Sequence, residues 1–372
     1  MTVYESRRQK LYDWMAQENI ALAMFEDTEA RRDPTVRWLC GMPADALLFL
    51  SVDRHSILIP WDANMAARMG QADILIPYND FDRQAEKAIR GALDCLKIPL
   101  SSKLEIPTVT PYPLFLRYVE LFSDFDVICR KNGIHQEVVN LRSVKDKEEI
   151  TRYRKIATLT NEIINLLEEE VRTGILSTEL DVALFIEAES RKRGCEGLGF
   201  ETLAAGPARS FGIHAFPPYT SGAFACEGLS ILDFGLRYEG YTSDVTMTFA
   251  RGTLSKTQES MLILVQQAHD LAIDMVASGE HCRSIGLAVD AFFLKSKKVM
   301  PHNLGHGIGL EAHEAPSLRS SDDNDWVLKP GMIFTIEPGL YDDQAGGCRL
   351  EDDILLTEAG VEVLTKSRIV LL

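Results

Sequence analysis

The chain is 372 residues long, 46% apolar and 25% charged, with a formal net charge of −16. That length exceeds one comfortable core and predicts two domains, while so acidic a balance excludes nucleic acid as a partner, because phosphate binding needs a basic face. The start MTVYESRRQK has no apolar leader, no apolar run nears the roughly 18 residues of a membrane span, and the seven cysteines form no CxxC pair, so a cytoplasmic protein without a membrane partner is expected.

Leu11, Trp14, Met15 and Ile20 recur at helical spacing and predict a helix over 5–20. IALAMF then reads as a buried strand, and ALLFLSVDRHSILIPW (46–61) as two strands around a turn at Asp53–Arg54. Helices near 62–70 and 80–96 complete a mixed α/β unit that gathers no ligands; its His55, beside the turn, reads as a surface residue. A charged stretch at 135–150 opens a long amphipathic helix whose Ile150, Ile156, Ile163, Ile164, Leu166 and Leu167 make a core stripe. The domain boundary is set there, giving 1–138 and 139–372. Helices over 178–193, 255–278 and 281–298 then alternate with Gly-rich strands, and His269 and His281 on them read as surface or capping groups.

The segment ILDFGLRYEGYTSDVTMTFARG (231–252) reads as a β-hairpin. With the turn centred on Tyr238 and Glu239, Asp233 and Asp244 lie opposite each other on one face. Two anions so placed repel unless a cation sits between them. Downstream, TIEPGLYDDQAGGCRLEDDILLTEAG repeats the plan and presents Glu337 and Glu351; Asp233-Phe-Gly-Leu is echoed by Glu337-Pro-Gly-Leu. Two hairpins with a pair of acids each imply two related halves around a shared site. Asp342, Asp343, Asp352 and Asp353 read as solvated turn residues or as groups just behind the site.

Four carboxylates call for two divalent cations. Oxygen ligands with one imidazole favour manganese, cobalt, iron or zinc. The imidazole comes from HNLGHGIGLEAHEAP (302–316), which holds His302, His306 and His313. His302 and His306 are four apart, but Gly305, Gly307 and Gly309 argue against a helix and for a strand passing close to the cluster.

The segments LDFGLRYEGYTSDVTMTF, HNLGHGIGLEAHEAP, FTIEPGLY and CRLEDDILLTEAG resemble the metal-dependent peptidases that include Xaa-Pro aminopeptidase, Xaa-Pro dipeptidase and methionine aminopeptidase. The LRSVKDKEEI junction is similar to the proline-specific and creatinase branch. The resemblance implies an α/β (α+β) chain: a smaller creatinase-like N-terminal domain, then a pita-bread catalytic domain of two pseudo-symmetric halves. By matching, the metal ligands are Asp233, Asp244, His306, Glu337 and Glu351, with Asp244 and Glu351 bridging two divalent ions, manganese first, with cobalt, zinc or iron as alternatives. His302 and His313 line the substrate pocket, as does His214 in FGIHAFPPY, and Arg349 steadies Glu351. Glu337 shuttles the proton to the leaving amine.

The implied reaction is hydrolysis of the bond between an N-terminal residue and proline, by a homodimer acting on small peptides. The chain departs from its relatives at Met247, where proline-specific members often have Arg, at Ser317, where dipeptidases often have Arg, with Arg319 two further on, and at Cys348, usually aliphatic. Two other readings share the scaffold: a metal-dependent amidohydrolase acting on a small non-peptide C–N bond, and a non-catalytic binding module.

Overall fold

Thr2 opens the chain with a capping box: its side chain accepts the Glu5 N–H, the Glu5 carboxylate accepts the Thr2 N–H, and helix Val3–Gln17 follows. In the computed structural model, which describes residues 1–372, two compact units form, Met1–Leu141 and Arg142–Leu372. The division falls inside helix Ile134–Ser143.

In the first unit, Leu22–Asp27, Ala46–Ser51 and His55–Pro60 pair antiparallel in sequence order. Ile74–Leu75 extends the sheet at one side, and Lys103–Glu105 and Asp126–Ile128 at the other, all parallel to their neighbours. Ile89, Leu93, Tyr118 and Phe122 pack against the inward residues of these strands. A short helix, Pro34–Cys40, was not legible in the periodicity; Asp33 caps it, Pro34 starts it and Gly41 ends it with φ +78°. His55 is exposed at the first position of its strand.

The second unit begins with helix Lys147–Arg172, whose cap Asp146 forms another capping box with Glu149. Ile156, Ile163, Ile164 and Leu167 are buried on one stripe, and the helix packs against helix Glu179–Lys192. A four-stranded sheet runs Ile369–Leu371, Val245–Arg251, Gly228–Phe234, Leu203–Ala205. A five-stranded sheet runs Glu314–Leu318, Gly305–Gly307, Ile333–Ile336, Asp352–Thr357, Gly360–Val363. Helices Lys256–Asp274 and Cys282–Lys295 cover the latter through Val265, Ile285 and Phe293, against Phe334, Ile354 and Leu356.

The first hairpin turns one residue later than expected. Glu239 and Gly240 take positive φ, +48° and +87°, and Tyr238 pairs with Tyr241. Asp233 therefore faces Thr246, so Asp244 is its diagonal neighbour on the same face rather than its direct partner. In the second hairpin Ile336 faces Asp352 and Gly339 faces Arg349; Glu337 and Glu351 fall in the break between these two ladders, where the Glu337 N–H turns away to the Leu304 carbonyl. The hairpins meet where Thr246 and Glu351 pair, the Glu351 N–H donating to the Thr246 carbonyl at 3.1 Å. No helix is long and apolar enough to cross a membrane.

Candidate metal centre

A cavity of about 570 Å³ in the second unit is lined by all five expected ligands, Asp233, Asp244, His306, Glu337 and Glu351, and by His214, His302, His313 and Arg349. Asp233 comes from the strand Gly228–Phe234, Asp244 from the residue before Val245–Arg251, and Glu337 and Glu351 from the irregular middle of the second hairpin. His306 is delivered by a strand that only glycines permit: a side chain at 305 would collide with the Thr335 carbonyl, and one at 307 with that of Ala315.

Ligand atoms of Asp244, His306 and Glu351 lie within 4.8 Å of one another. His306 Nε2 stands 3.5 Å from Glu337 Oε1 and 3.8 Å from Asp244 Oδ2. Its Nδ1 donates to the Gly307 carbonyl at 3.1 Å, which leaves the Nε2 lone pair aimed at the carboxylates, the tautomer a metal ligand requires. Burial pulls His306 down to about 4, so the ring is neutral.

The acids are the opposite case. Burial first, and then the charges of Glu351 and Asp233, push the Asp244 carboxyl well above its usual range. Burial, Glu337 and Asp233 do the same to Glu351. Burial raises Glu337 to about 8, against the opposing charge of Arg349. Asp233 is raised by burial, and its Oδ1 is buried without a hydrogen-bond partner. An orphaned carboxylate oxygen among three further acids and a neutral imidazole is the donor set of a divalent cation site, so the residues fit the group.

Arg349 does not touch Glu351. Its guanidinium donates to Asp233 Oδ2 at 2.6 Å, to Thr246 Oγ1 at 3.0 Å, to the Ile213 carbonyl at 3.0 Å and to the Tyr341 hydroxyl at 2.8 Å. Thr246 passes the connection on, donating to Glu351 Oε2 at 2.7 Å. Asp233 and Thr246 are cross-strand partners, so one guanidinium reaches both.

His302 is also held within the protein. Nδ1 donates to the Asn303 carbonyl at 2.8 Å, and Nε2 lies 3.2 Å from the Tyr341 hydroxyl, which already accepts from Arg349 and so donates to the ring. His214 and His313 are the exposed imidazoles of the cavity wall, and the His313 ring lies 4.2 Å from that of His306.

Sequence reasoning placed His269 at the surface, but it is buried on helix Lys256–Asp274, with Nε2 3.3 Å from Asp352 Oδ2. Its apolar neighbours Val265, Ala268 and Ala272 share that buried face, which was the available signal. His281 is exposed and caps helix Cys282–Lys295 with its backbone alone. Asp342 ends the strand Gly339–Asp342 and Asp343 lies in the turn after it, whereas Asp352 and Asp353 are buried, and Asp353 Oδ2 accepts the Asp244 N–H at 3.2 Å. Thr246 and Tyr341, which tie the site together, stood inside recognised motifs without being singled out.

The model of Metallopeptidase family M24 matches residues 151–358, more than half of the chain. The chain belongs to metallopeptidase family M24. An uncharacterized peptidase of Staphylococcus haemolyticus is similar at 35% identity over 257 residues, 67% of this chain and 70% of that protein. Among solved structures, a prolidase from Pyrococcus furiosus matches with a TM-score of 0.82 at 24% identity, over 96% of this chain and 99% of that one. An X-Pro aminopeptidase from Thermotoga maritima matches with 0.83 at 24%, over 98% and 100%. These likenesses give the M24 chain its architecture: the pita-bread fold with an additional N-terminal domain. As an M24 member it is a metal-dependent peptidase, and the carboxylate–histidine cluster is its candidate metal site.

Proposed function

We propose that this M24 peptidase releases an N-terminal residue that precedes proline, with Asp233, Asp244, His306, Glu337 and Glu351 holding two divalent ions, manganese by preference. The observation that carries the reading is the convergence of four acids from two hairpins and one neutral imidazole from the strand Gly305–Gly307 on one cavity. The names of the solved relatives, a prolidase and an X-Pro aminopeptidase, support the proline specificity. So does the apolar part of the cavity wall, Phe200, Leu203, Ile213 and Pro218, which suits a pyrrolidine ring.

When bound, divalent cations supply Lewis-acid charge that polarises a carbonyl and makes water nucleophilic near neutral pH. The chain's own residues do the rest. Glu337 accepts the proton of the attacking water at its carboxylate and returns it to the proline nitrogen as the C–N bond breaks. A tertiary amide has no N–H, so this proton delivery is what lets the nitrogen leave. Exposed His313 and His214 are free to hydrogen-bond the substrate, while His302, engaged at both nitrogens, shapes the wall. Arg349 orients Asp233 and, through Thr246, Glu351.

Arg319 pairs with Asp323 at 3.0 Å and lines an adjoining cavity of about 230 Å³ on the other side of His302 and Asn303. The only cationic side chain in the main cavity wall is thus Arg349, whose donors are already engaged. This favours a peptide that extends past proline over a dipeptide needing its carboxylate gripped. The test is hydrolysis of Ala-Pro-Ala, Ala-Pro and Ala-Ala-Ala by metal-stripped protein resupplied with manganese. Cleavage of Ala-Pro-Ala above both others is expected. Failure on both proline peptides by protein that binds manganese overturns the reading.

A further inference from the structure

Beneath the loop that carries His313 lies a group of charges that the chemistry above does not use. Glu314 is held there: its Oε1 accepts the Glu311 N–H at 3.1 Å and a guanidinium N–H of Arg142, while the same Arg142 nitrogen donates to Glu311 Oε2 at 2.9 Å. Lys145 is buried, with Nζ 3.6 Å from Glu314 Oε2. Glu149, one turn further on, accepts the Tyr241 hydroxyl at 2.9 Å. The RSVKDKEE stretch noted in the sequence is thus folded under residues 309–314.

The loop itself has little slack. The Gly309 N–H donates to the Glu311 carbonyl at 3.0 Å, the Thr242 N–H donates to the Gly309 carbonyl at 2.9 Å, and a side chain on Gly309 would collide with the Glu314 carboxylate. Burial favours the neutral acid, but Arg142 and Lys145 outweigh it and hold Glu314 below its usual range, so the carboxylate is charged. Buried ions of this kind add little net stability over apolar packing, because desolvation offsets their attraction. What they do supply is direction: the one Arg142 nitrogen that donates to both Glu311 and Glu314, and the fixed carboxylate of Glu314, set one loop conformation.

We propose that Glu314, clamped by Arg142 and Lys145, is a positioning residue that aims the His313 imidazole at the substrate. The inference rests on the reading of His313 as a substrate contact. It assigns the junction segment Arg142–Glu149 a part in catalysis rather than in joining the chain alone.

A double-mutant cycle on manganese-loaded protein tests it, with kcat and KM for Ala-Pro-Ala measured for wild type, Glu314→Gln, His313→Ala and the double variant. Thermal unfolding and metal content certify the fold. Glu314→Gln is expected to lower kcat/KM on the order of 100-fold with its manganese retained. In the His313→Ala background it is expected to cost no more than about twofold. Equal losses in both backgrounds, or a folded Glu314→Gln protein with wild-type kcat/KM, overturn the proposal and leave the role of His313 standing. A His313→Ala protein with full activity removes that role and the proposal together, while cleavage of the peptide still upholds the peptidase reading. If Glu314→Gln does not fold, Arg142→Lys, which keeps the charge and loses the planar guanidinium that reaches Glu311 and Glu314, enters the same cycle with the same deciding outcomes.

Discussion

Thr246 and Glu351 belong to different hairpins and are joined twice, by backbone pairing at 3.1 Å and by the Thr246 hydroxyl donating to Glu351 Oε2 at 2.7 Å. The same hydroxyl accepts from Arg349 Nε at 3.0 Å. One threonine oxygen therefore couples the cation side of the site to its most buried acid.

Thr246→Val keeps the shape and removes that oxygen. It is expected to cost about 1–3 kcal/mol, since a buried donor and acceptor lose their partner. Activity is expected to fall about 10- to 100-fold, as when a ligand loses its orienting hydrogen bond. Urea denaturation and peptide hydrolysis measure both; an unchanged kcat/KM in a folded variant would show that Glu351 needs no help.

Arg349→Met leaves Asp233, Tyr341 and the Ile213 carbonyl without their buried donor. Removing one partner of a buried pair costs about 3–5 kcal/mol. Unfolding should report that loss in the presence of manganese, and activity should vanish with it. A loss below about 1 kcal/mol, the range of an exposed pair, would mean that the guanidinium is dispensable.

The acids set a pH dependence. Asp244, Glu351 and Glu337 all have pKa values raised above those of the unfolded chain. A raised acid contributes stability fully below its unfolded pKa, and that contribution is lost as pH rises through the folded value. For Glu337 the window runs from 4.5 to about 8. Metal-stripped protein should therefore lose thermal stability between pH 5 and pH 8, and added manganese should raise the melting temperature far more at pH 8. A melting temperature of the stripped chain that stays flat over this range would refute the upward shift that burial imposes on these acids.

Gly307→Ala places a methyl group against the Ala315 carbonyl. Backbone cannot yield as a flexible side chain would, so a cost of about 1–3 kcal/mol or more is expected. Circular dichroism on heating reads it directly; a melting temperature equal to wild type would show that the strand has room.

Much of the site was legible in the sequence because hairpins and acids recur at short range. The alternation around 231–252 shows two strands, and the echo at Glu337 shows a second pair. The turn was misplaced by one residue because Tyr-Glu-Gly offers two centres, and only the positive φ of Glu239 and Gly240 decides between them. That single step moved the partner of Asp233 from Asp244 to Thr246. Long-range contacts were less readable. His269 meets Asp352 across a helix–sheet interface, and nothing local in either segment announces the pairing. The helix Pro34–Cys40 is too short for periodicity to register, although its Asp-Pro start and Gly end were visible.

The two hairpins present their acids differently, Asp233 and Asp244 from one ladder, on a diagonal, and Glu337 and Glu351 from the break between two ladders. The two cation seats proposed for these pairs are thus expected to be unequal. Titration of stripped protein with manganese is expected to fill them in sequence, as two resolved affinities rather than one.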